Sequence, residues 1–285
     1  MKKINILLLL IFLIPISFVN GQDIISAQEL AKIIKKDNVV LVSARTASDY
    51  KKVHITGAVH INHTDLYNEV PVKNMLKNPG EIATILGSKG ISESKTIVLY
   101  DDGTGKYSGR LYWILSYLGA KDVKILDGHM DAWKAARKPV TKNPTKIKPA
   151  TFTAKVDKAK IATMAQVKAA NGSASSVIVD ARAPEEYKGA ATTELRKGHI
   201  PGAVNIEFKN MMDAKGKLKS VAELQKIFDA AGVTKDKEVI LYCESGVRAG
   251  IIYFTLCSAL NYTKVKVYDG AYLEWQATSA NKVEV

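Results

Sequence analysis

Cys243 and Arg248 bracket a short polar loop, Cys-Glu-Ser-Gly-Val-Arg, whose residue types suit thiol chemistry. The apolar run Glu238–Tyr242 precedes the loop, and a second apolar run, Ile251–Leu256, follows it. This pattern predicts a strand that ends at the cysteine and a helix that begins after the loop. Loop N–H groups and the positive end of a helix dipole stabilise an anion, so we expect a reactive thiolate. The alternative is that Cys243 is merely a small buried apolar residue.

The second cysteine, Cys257, is not expected to pair with Cys243. It follows Cys243 by fourteen residues, inside the predicted helix. That many helical residues rise roughly 20 Å, whereas a disulfide needs its Cα atoms within roughly 7 Å. We therefore predict that Cys257 is a buried helix residue and that Cys243 carries a free thiol.

The chain contains one pattern of motifs twice, in the same order and with nearly the same spacing. The matching pairs are Val40–Arg45 with Val177–Arg182, His54–Ile61 with His199–Ile206, Ile97–Asp101 with Val239–Cys243, and Val123–Gly128 with Val265–Gly270. An ordered repeat of this kind indicates two copies of one domain.

The first copy has no thiol at the position that matches Cys243. Asp101 stands there, and the loop that follows, Asp101–Arg110, is longer. A carboxylate cannot act as a soft nucleophile, so we expect the first copy to keep the fold without the reaction, as a support or as one wall of the site.

His199 belongs to a motif that is repeated at His54, in the copy without a nucleophile. It is therefore predicted to be structural rather than a catalytic base.

Short runs of Val, Ile and Leu alternate with helical patterns, which is typical of the α/β class with a mostly parallel sheet flanked by helices. In the second copy the predicted strands are Val177–Val179, Ala203–Ile206, Val239–Tyr242 and Val265–Tyr268, and the predicted helices are Ala162–Asn171, Val221–Ala231 and Gly246–Leu260. Ligands of such sheets bind beyond the carboxyl ends of the strands, where Cys243 lies.

Prolines and lysines between the copies, including Pro139, Pro144 and Pro149, predict a linker. We expect a first domain at residues 22–140, a linker at 141–155 and a second, catalytic domain at 156–285.

The first 21 residues have the features of a secretory signal peptide. Lys2 and Lys3 precede an apolar run from Ile4 to Val19, and small or tolerated residues follow it. The run is short for a membrane span, so an uncleaved anchor is the weaker alternative. The sequence thus predicts an exported protein, periplasmic or secreted, that is not bound to the membrane after cleavage.

The chain has 41 basic and 28 acidic residues, and loss of residues 1–21 would remove two lysines and no acid, leaving a net charge of +11. The lysines are spread along the chain without a dense basic block or interleaved aromatics, which argues against nucleic-acid binding. We interpret the charge as a solvated surface that attracts anionic substrates.

These motifs resemble those of the tandem-domain rhodanese sulfurtransferases, the group that includes thiosulfate and 3-mercaptopyruvate sulfurtransferases. The resemblance covers nearly all of the chain beyond the signal peptide. It is carried by Asp180-Ala181-Arg182 with Glu186-Tyr187, Gly198–Ala203, the Cys243 loop, and Tyr268-Asp269-Gly270 with Glu274-Trp275. It implies two rhodanese-like domains, of which the first lacks the cysteine. It also implies that Cys243 takes a sulfane sulfur from a donor, becomes a persulfide, and passes the sulfur to cyanide or a thiol.

The same resemblance assigns the substrate-binding residues Arg182, Glu244, Ser245, Gly246, Val247 and Arg248. The loop N–H groups would stabilise the anions of the transfer. Arg248 adds a permanent charge and a planar fork suited to a sulfonate or carboxylate. Arg182 either reaches the same pocket or forms a structural salt bridge with Asp180 or Glu186, and Ser245 either binds the leaving group or shapes the turn. Glu244 is expected at a solvated loop tip.

Thiosulfate is the favoured donor, with 3-mercaptopyruvate as the alternative. The mercaptopyruvate enzymes resemble a Cys-Gly-Ser-Gly-Val-Thr loop, whereas this chain has Glu244 and Arg248 in it. They also tend to carry an acidic residue after the first Gly-Ala turn, where this chain has Asn62 and His63.

Four other expectations follow from the sequence. A phosphatase or arsenate reductase typically has C-x5-R, whereas the spacing here is C-x4-R, which makes a smaller cradle. A non-catalytic sulfur carrier is the remaining alternative. No cofactor and no metal are expected, because the histidines lack metal-ligand spacing, and a monomer is expected because the two domains cover each other.

Overall fold

The computed structural model describes residues 23–285 of the 285-residue chain. The predicted signal peptide at residues 1–21 lies outside these described residues. No helix within them is long and apolar enough to cross a membrane.

Residues 23–141 of the described chain form seven strands and five α-helices. The strands are β1 (Ile24–Ile25), β2 (Val39–Ser43), β3 (His54–Ile55), β4 (Val59–His60), β5 (Thr96–Tyr100), β6 (Asp122–Leu126) and β7 (Val140–Thr141). The helices are α1 (Ala27–Ile33), α2 (Ala47–Lys52), α3 (Pro79–Ser88), α4 (Lys106–Tyr117) and α5 (His129–Ala135). Ser26 caps α1 together with Glu29, which explains why this helix begins where it does.

The second half forms five strands and five helices. The strands are β8 (Ile161–Ala162), β9 (Ser176–Asp180), β10 (Val204–Asn205), β11 (Glu238–Tyr242) and β12 (Val265–Tyr268). The helices are α6 (Met164–Ala170), α7 (Pro184–Tyr187), α8 (Val221–Ala230), α9 (Ala249–Phe254) and α10 (Ala271–Ala277).

The predicted duplication is visible in the sheet topology. One five-stranded sheet has the order β1-β6-β5-β2-β4, and the other, counted from its far edge, has the order β8-β12-β11-β9-β10. All pairs in both sheets are parallel. The strands β5 and β11 occupy the same central position, which confirms the predicted α/β class with two parallel sheets.

The predicted helix Gly246–Leu260 is wrong at its beginning. Gly246 has a positive φ of 80°, and a turn at Val247 and Arg248 delays the helix until Ala249. The α-helical part ends at Phe254 and continues as a π-helical turn, Thr255–Ala259. The cysteine loop is therefore longer than the hydrophobic pattern suggested.

The inner faces of the two sheets share one hydrophobic core. Along β11, Val239 and Leu241 point into this shared core together with Cys243, whereas Ile240 and Tyr242 pack on the outer face. Side chains of a strand alternate between its faces, so the position of Cys243 in the chain directs its thiol toward the other copy.

Helices α4 and α9, one from each copy, meet at a pair of glycines. A Cβ on Gly109 would lie 2.4 Å from the backbone nitrogen of Ile251, and one on Gly250 would lie 2.4 Å from the backbone nitrogen of Arg110. Only glycine allows this approach. The contact brings the segments that follow the two matching loops against each other.

Candidate active site

Cys243 lies one residue beyond the carboxyl end of β11 and is 1% exposed. Its carbonyl accepts a hydrogen bond from Tyr272 N at 2.9 Å, and the carbonyl of Glu244 accepts one from Leu273 N at 3.1 Å. The first turn of α10 thereby holds the start of the loop. The thiol is not in a disulfide.

The loop after Cys243 presents backbone donors. Within residues 23–285, the amides of Ser245, Gly246 and Val247 donate to no protein acceptor. Buried or half-buried N–H groups are normally hydrogen-bonded. These amides are therefore available to an anionic ligand.

The matching loop of the first copy binds an anion of its own chain. The buried carboxylate of Asp101 accepts hydrogen bonds from Gly103 N, Gly105 N, Tyr107 N and Ser108 N at 2.9–3.2 Å, and from Ser108 Oγ at 3.1 Å. Burial opposes ionisation of Asp101, but His129 and these amides outweigh it and hold the pKa of the carboxyl below its ordinary value. A loop at this position of the fold is thus an anion cradle.

Arg248 borders the cysteine loop, but its fork is engaged by the protein. Its Nη1 and Nη2 donate to the two carboxylate oxygens of Glu186, at 2.5 and 2.8 Å, and Nη2 also lies 3.4 Å from Glu244. Burial opposes the charge, but Glu186 and the nearby Cys243 raise the pKa of Arg248 further above its usual value. The bidentate site predicted for a substrate is therefore occupied by Glu186. Glu244 is half-exposed, as expected for a loop tip.

A cleft of about 470 Å³ opens at Val247 and Arg248, between the two copies. Its other lining residues are His63, Lys106 and Tyr107 from the first copy and Ala183, Glu186, Glu207, Phe208 and Lys209 from the second. A larger cavity of about 590 Å³ lies beside the Asp101 loop, where no nucleophile stands. The smaller cleft thus borders the end of the cysteine loop, whereas the larger one borders the loop without a thiol.

His63 is a cleft residue that the sequence did not single out as part of the site. Its ring stacks on Tyr107 at 4.8 Å, and its Nδ1 lies 3.1 Å from Tyr67 Oη. Burial, reinforced by Arg110 and Lys106, lowers the pKa of His63 to about 4. The imidazole is therefore neutral near pH 7 and offers a hydrogen bond rather than a charge.

Arg182 forms a buried salt bridge with Asp180, one of the two alternatives that the sequence left open. Its guanidinium donates to both carboxylate oxygens of Asp180 at 2.6–3.0 Å and to the carbonyl of Gly198 at 2.8 Å. It is 2% exposed and lies 4.0 Å from the ring centre of Tyr272. The structural alternative, a salt bridge with Asp180, is therefore present, and it uses the Nε and Nη2 donors.

The structural role predicted for His199 is confirmed. Its Nδ1 lies 2.9 Å from the carbonyl of Tyr187, on whose ring it stacks at 3.7 Å. His54 makes the same two contacts with Tyr50 in the copy without a thiol. A contact present in both copies serves the fold.

Cys257 is unpaired, as predicted, and lies in the π-helical turn after α9. It is half-buried rather than fully buried as predicted.

The buried Arg110 is another residue that the sequence did not single out. It lies on α4 in the first copy, and its Nη1 is 3.4 Å from the carbonyl of Gly246 in the cysteine loop. The sequence did contain one sign of a special role for Arg110. It is a charged residue within the apolar run of α4, whereas the matching residue of the second copy, after Gly250, is the apolar Ile251.

A family model described as a rhodanese-like domain matches residues 26–136 and again residues 163–278. The thiosulfate sulfurtransferase of Pseudomonas aeruginosa is 29% identical over 263 residues, which cover 92% of this chain and 97% of that protein. The 3-mercaptopyruvate sulfurtransferase of Escherichia coli K12 is 30% identical over 274 residues, covering 91% and 97%. A crystal structure of SseA from Escherichia coli, described as a 3-mercaptopyruvate sulfotransferase with the rhodanese fold, has a TM-score of 0.80 at 30% identity, covering 87% of this chain and 98% of that one.

Proposed function

The chain belongs to the rhodanese family, and we propose that it is a thiosulfate sulfurtransferase that works through a persulfide on Cys243. The observation that carries the proposal is the difference between the matching loops. One loop holds its own carboxylate, Asp101, on backbone amides, and the other presents a cysteine with amides that have no protein acceptor.

In the first half of the reaction, the Cys243 thiolate attacks the sulfane sulfur of thiosulfate. A sulfur–sulfur bond forms to the cysteine, the sulfur–sulfur bond of thiosulfate breaks, and its electron pair leaves with sulfite. The enzyme is then a persulfide anion. No proton needs to be moved in this step, which agrees with a site in which His199 is engaged by Tyr187 and Glu284.

In the second half, cyanide or a thiolate attacks the outer sulfur of the persulfide. The new bond forms to the acceptor, the sulfur–sulfur bond breaks, and the Cys243 thiolate returns. Both enzyme forms are anions in a largely buried position, so preorganised N–H donors of the loop stabilise each of them. The cleft between the copies gives the acceptor its access.

The state of Arg248 supports thiosulfate over 3-mercaptopyruvate. The carboxylate of 3-mercaptopyruvate would bind best to a guanidinium whose two terminal nitrogens are free. In Arg248 both of these nitrogens donate hydrogen bonds to Glu186. Thiosulfate is small and carries its charge on a sulfonate-like group that single N–H donors can bind. Lys106 adds positive charge at the cleft, whereas Lys209 forms a salt bridge with Glu207 at 3.3 Å.

The proposal is tested by thiocyanate formation from thiosulfate and cyanide. We expect turnover by the wild type and a loss of about a thousandfold or more in Cys243→Ser, as for removal of a nucleophile elsewhere. Cys257→Ser is the matched control and should keep wild-type turnover. If wild type and Cys243→Ser are equally inert with thiosulfate, 3-mercaptopyruvate and thiosulfonates, the enzymatic role fails.

A steady-state comparison of the two donors tests the donor assignment. We expect kcat/KM to be higher for thiosulfate by about tenfold, equivalent to about 1.4 kcal/mol of transition-state binding. A higher kcat/KM for 3-mercaptopyruvate would overturn the assignment. Appreciable hydrolysis of p-nitrophenyl phosphate that is lost in Cys243→Ala would instead point to a phosphatase.

We propose further that the protein is exported and acts as a monomer. Lys2, Lys3 and the apolar run that follows support export. The shared core between the two copies supports a monomer, because each copy already covers the inner face of the other. Cell fractionation with N-terminal sequencing tests the first point, and sedimentation tests the second.

A further inference from the structure

Arg110 is a fully buried cation at the junction of the two copies. It lies on α4, and its three guanidinium nitrogens have different partners: Nε donates to Tyr67 Oη at 3.0 Å, Nη2 to Asp269 Oδ1 at 2.6 Å, and Nη1 to the Gly246 carbonyl at 3.4 Å. Its exposed fraction is 0%.

The network joins the first copy to the cysteine loop of the second. Tyr67 and Arg110 belong to the first copy, and Asp269 and Gly246 to the second. The other oxygen of Asp269 accepts a hydrogen bond from Leu76 N at 2.8 Å, so the carboxylate is held from both sides by the first copy. A Cβ on Gly246 would lie 2.7 Å from Arg110 Nη1, so the guanidinium lies directly against the backbone of the loop.

The fold by itself does not require a cation here. At the matching position of the second copy, α9 carries the buried Ile251, so an apolar residue suits a helix at this place. Burial of an ion pair costs several kcal/mol of desolvation, and apolar replacements are often as stable. An arginine at this position therefore calls for an explanation beyond stability.

The charge of Arg110 acts on two residues near the cysteine loop. It contributes to the lowered pKa of His63 in the cleft, after burial. Burial raises the pKa of Tyr67 to about 12. The charge of Arg110 opposes this rise, and the nearby Cys243 adds to it. Tyr67 therefore lies within electrostatic range of both Arg110 and Cys243.

We propose that Arg110 is a positioning residue for sulfur transfer, which holds the cysteine loop through the Gly246 carbonyl and supplies positive potential to the sulfur anions of Cys243. The inference deepens the proposed function and rests on it. The copy without a nucleophile is thus a functional part of the site, because it provides the cation beneath the loop of the other copy.

The test uses the full-length mature protein with Arg110→Met/Asp269→Asn. This double variant removes both charges, so that neither is left buried alone. The first readout is the pH dependence of alkylation of Cys243 by iodoacetamide without a sulfur donor, followed by the mass of the Cys243 peptide. We expect the midpoint of this pH profile to rise by about one unit, which is about a tenfold change in the thiolate equilibrium.

The second readout is the split between kcat and KM for thiosulfate. We expect kcat to fall by about tenfold and KM to change by less than about threefold. The reason is that the variant changes the position of the cysteine loop and the stabilisation of the Cys243 sulfur anions, but not the residues that line the cleft. Arg110→Lys should restore the alkylation midpoint more than kcat, since lysine keeps the charge but not the three-way contacts.

Arg45→Met is the matched control. Arg45 is a partly buried arginine of the first copy, and its Nη1 donates to the Val53 carbonyl. We expect this variant to lower the melting temperature without moving the alkylation midpoint. If the double variant is folded and both its alkylation midpoint and kcat equal those of the wild type, Arg110 only joins the two copies and the proposal is wrong.

Tyr67→Phe keeps the test decisive if the double variant does not fold. It removes the hydroxyl that contacts Arg110 Nε and His63 Nδ1 and leaves both charges in place, and we expect a smaller shift of the midpoint in the same direction. No shift would overturn the proposal. Absence of thiocyanate formation by the wild type would contradict the proposed function itself, whereas the alkylation comparison does not depend on sulfur transfer.

Discussion

Asp101 and Cys243 stand at the same point of the two sheets, one residue beyond the ends of β5 and β11. The Asp101 carboxylate is bound by the amides of the loop that follows it. Cys243 is followed by amides without a protein acceptor among the described residues. The loop of the first copy thus binds a carboxylate of its own chain, and we propose that the loop of the second copy binds a substrate anion.

Asp101→Asn should destabilise the protein by about 2–4 kcal/mol at pH 7, because an amide nitrogen would face buried N–H donors. The lowered pKa of Asp101 in the folded state means that its contribution is present above its ordinary pKa of about 4 and is lost as the pH falls through the folded value. Urea unfolding at pH 7 and between pH 3 and 5 should therefore show a shallower acid loss in the variant. Asp102→Asn, at the exposed neighbouring position, is the control and should unfold like the wild type.

Arg248→Ala should lower kcat/KM for thiosulfate by about 10–100-fold, mainly through KM, because Glu186 and Glu244 would then repel a dianion. Arg248→Ala/Glu186→Gln should recover part of the loss, since one of the two carboxylates is neutralised. Steady-state kinetics check this, with Arg137→Lys at an exposed position as the control. A double variant no better than Arg248→Ala would show that Arg248 acts by shape rather than by charge balance.

His63 should titrate with a midpoint near 4 in the folded protein, well below the ordinary 6.5 of a histidine. Between these values the unfolded chain binds a proton that the folded chain does not, so stability is lost as the pH falls from 6.5 to 4. His63→Gln should remove that part of the pH dependence. NMR titration of the ring C–H signals checks the midpoint directly, and a value near 6.5 would contradict a neutral imidazole in the cleft.

Gly250→Ala should destabilise the protein by about 2–4 kcal/mol and lower activity, because its Cβ would lie 2.4 Å from the backbone of Arg110 and push α4 away from α9. Thermal unfolding and thiocyanate formation measure the two effects. Gly80→Ala in the first turn of α3 is the matched control, since its Cβ would make only an ordinary 3.4 Å contact. Equal melting temperatures for both variants would show that the helices can adapt.

Much of the fold followed from local patterns. The strands β9, β11 and β12, the duplication and the position of Cys243 at a strand end all appear as short-range periodicity or as an ordered repeat. Such features depend only on residues that are close in the sequence, so they can be predicted from a single sequence. The same reasoning identified His199 as structural, because its motif recurs at His54.

Long-range pairing was not accessible in this way. For Arg182 the sequence left open the substrate pocket and a salt bridge, and only the folded chain shows its contacts with Asp180 and Gly198. Arg110 and Gly246 are 136 residues apart and meet because two glycines let α4 and α9 touch. Which side chains satisfy one another in a buried interface depends on the packing of both copies, and no local periodicity encodes it. The nucleophile could therefore be found in the sequence, whereas the first copy's contribution to its site became visible only in the tertiary structure.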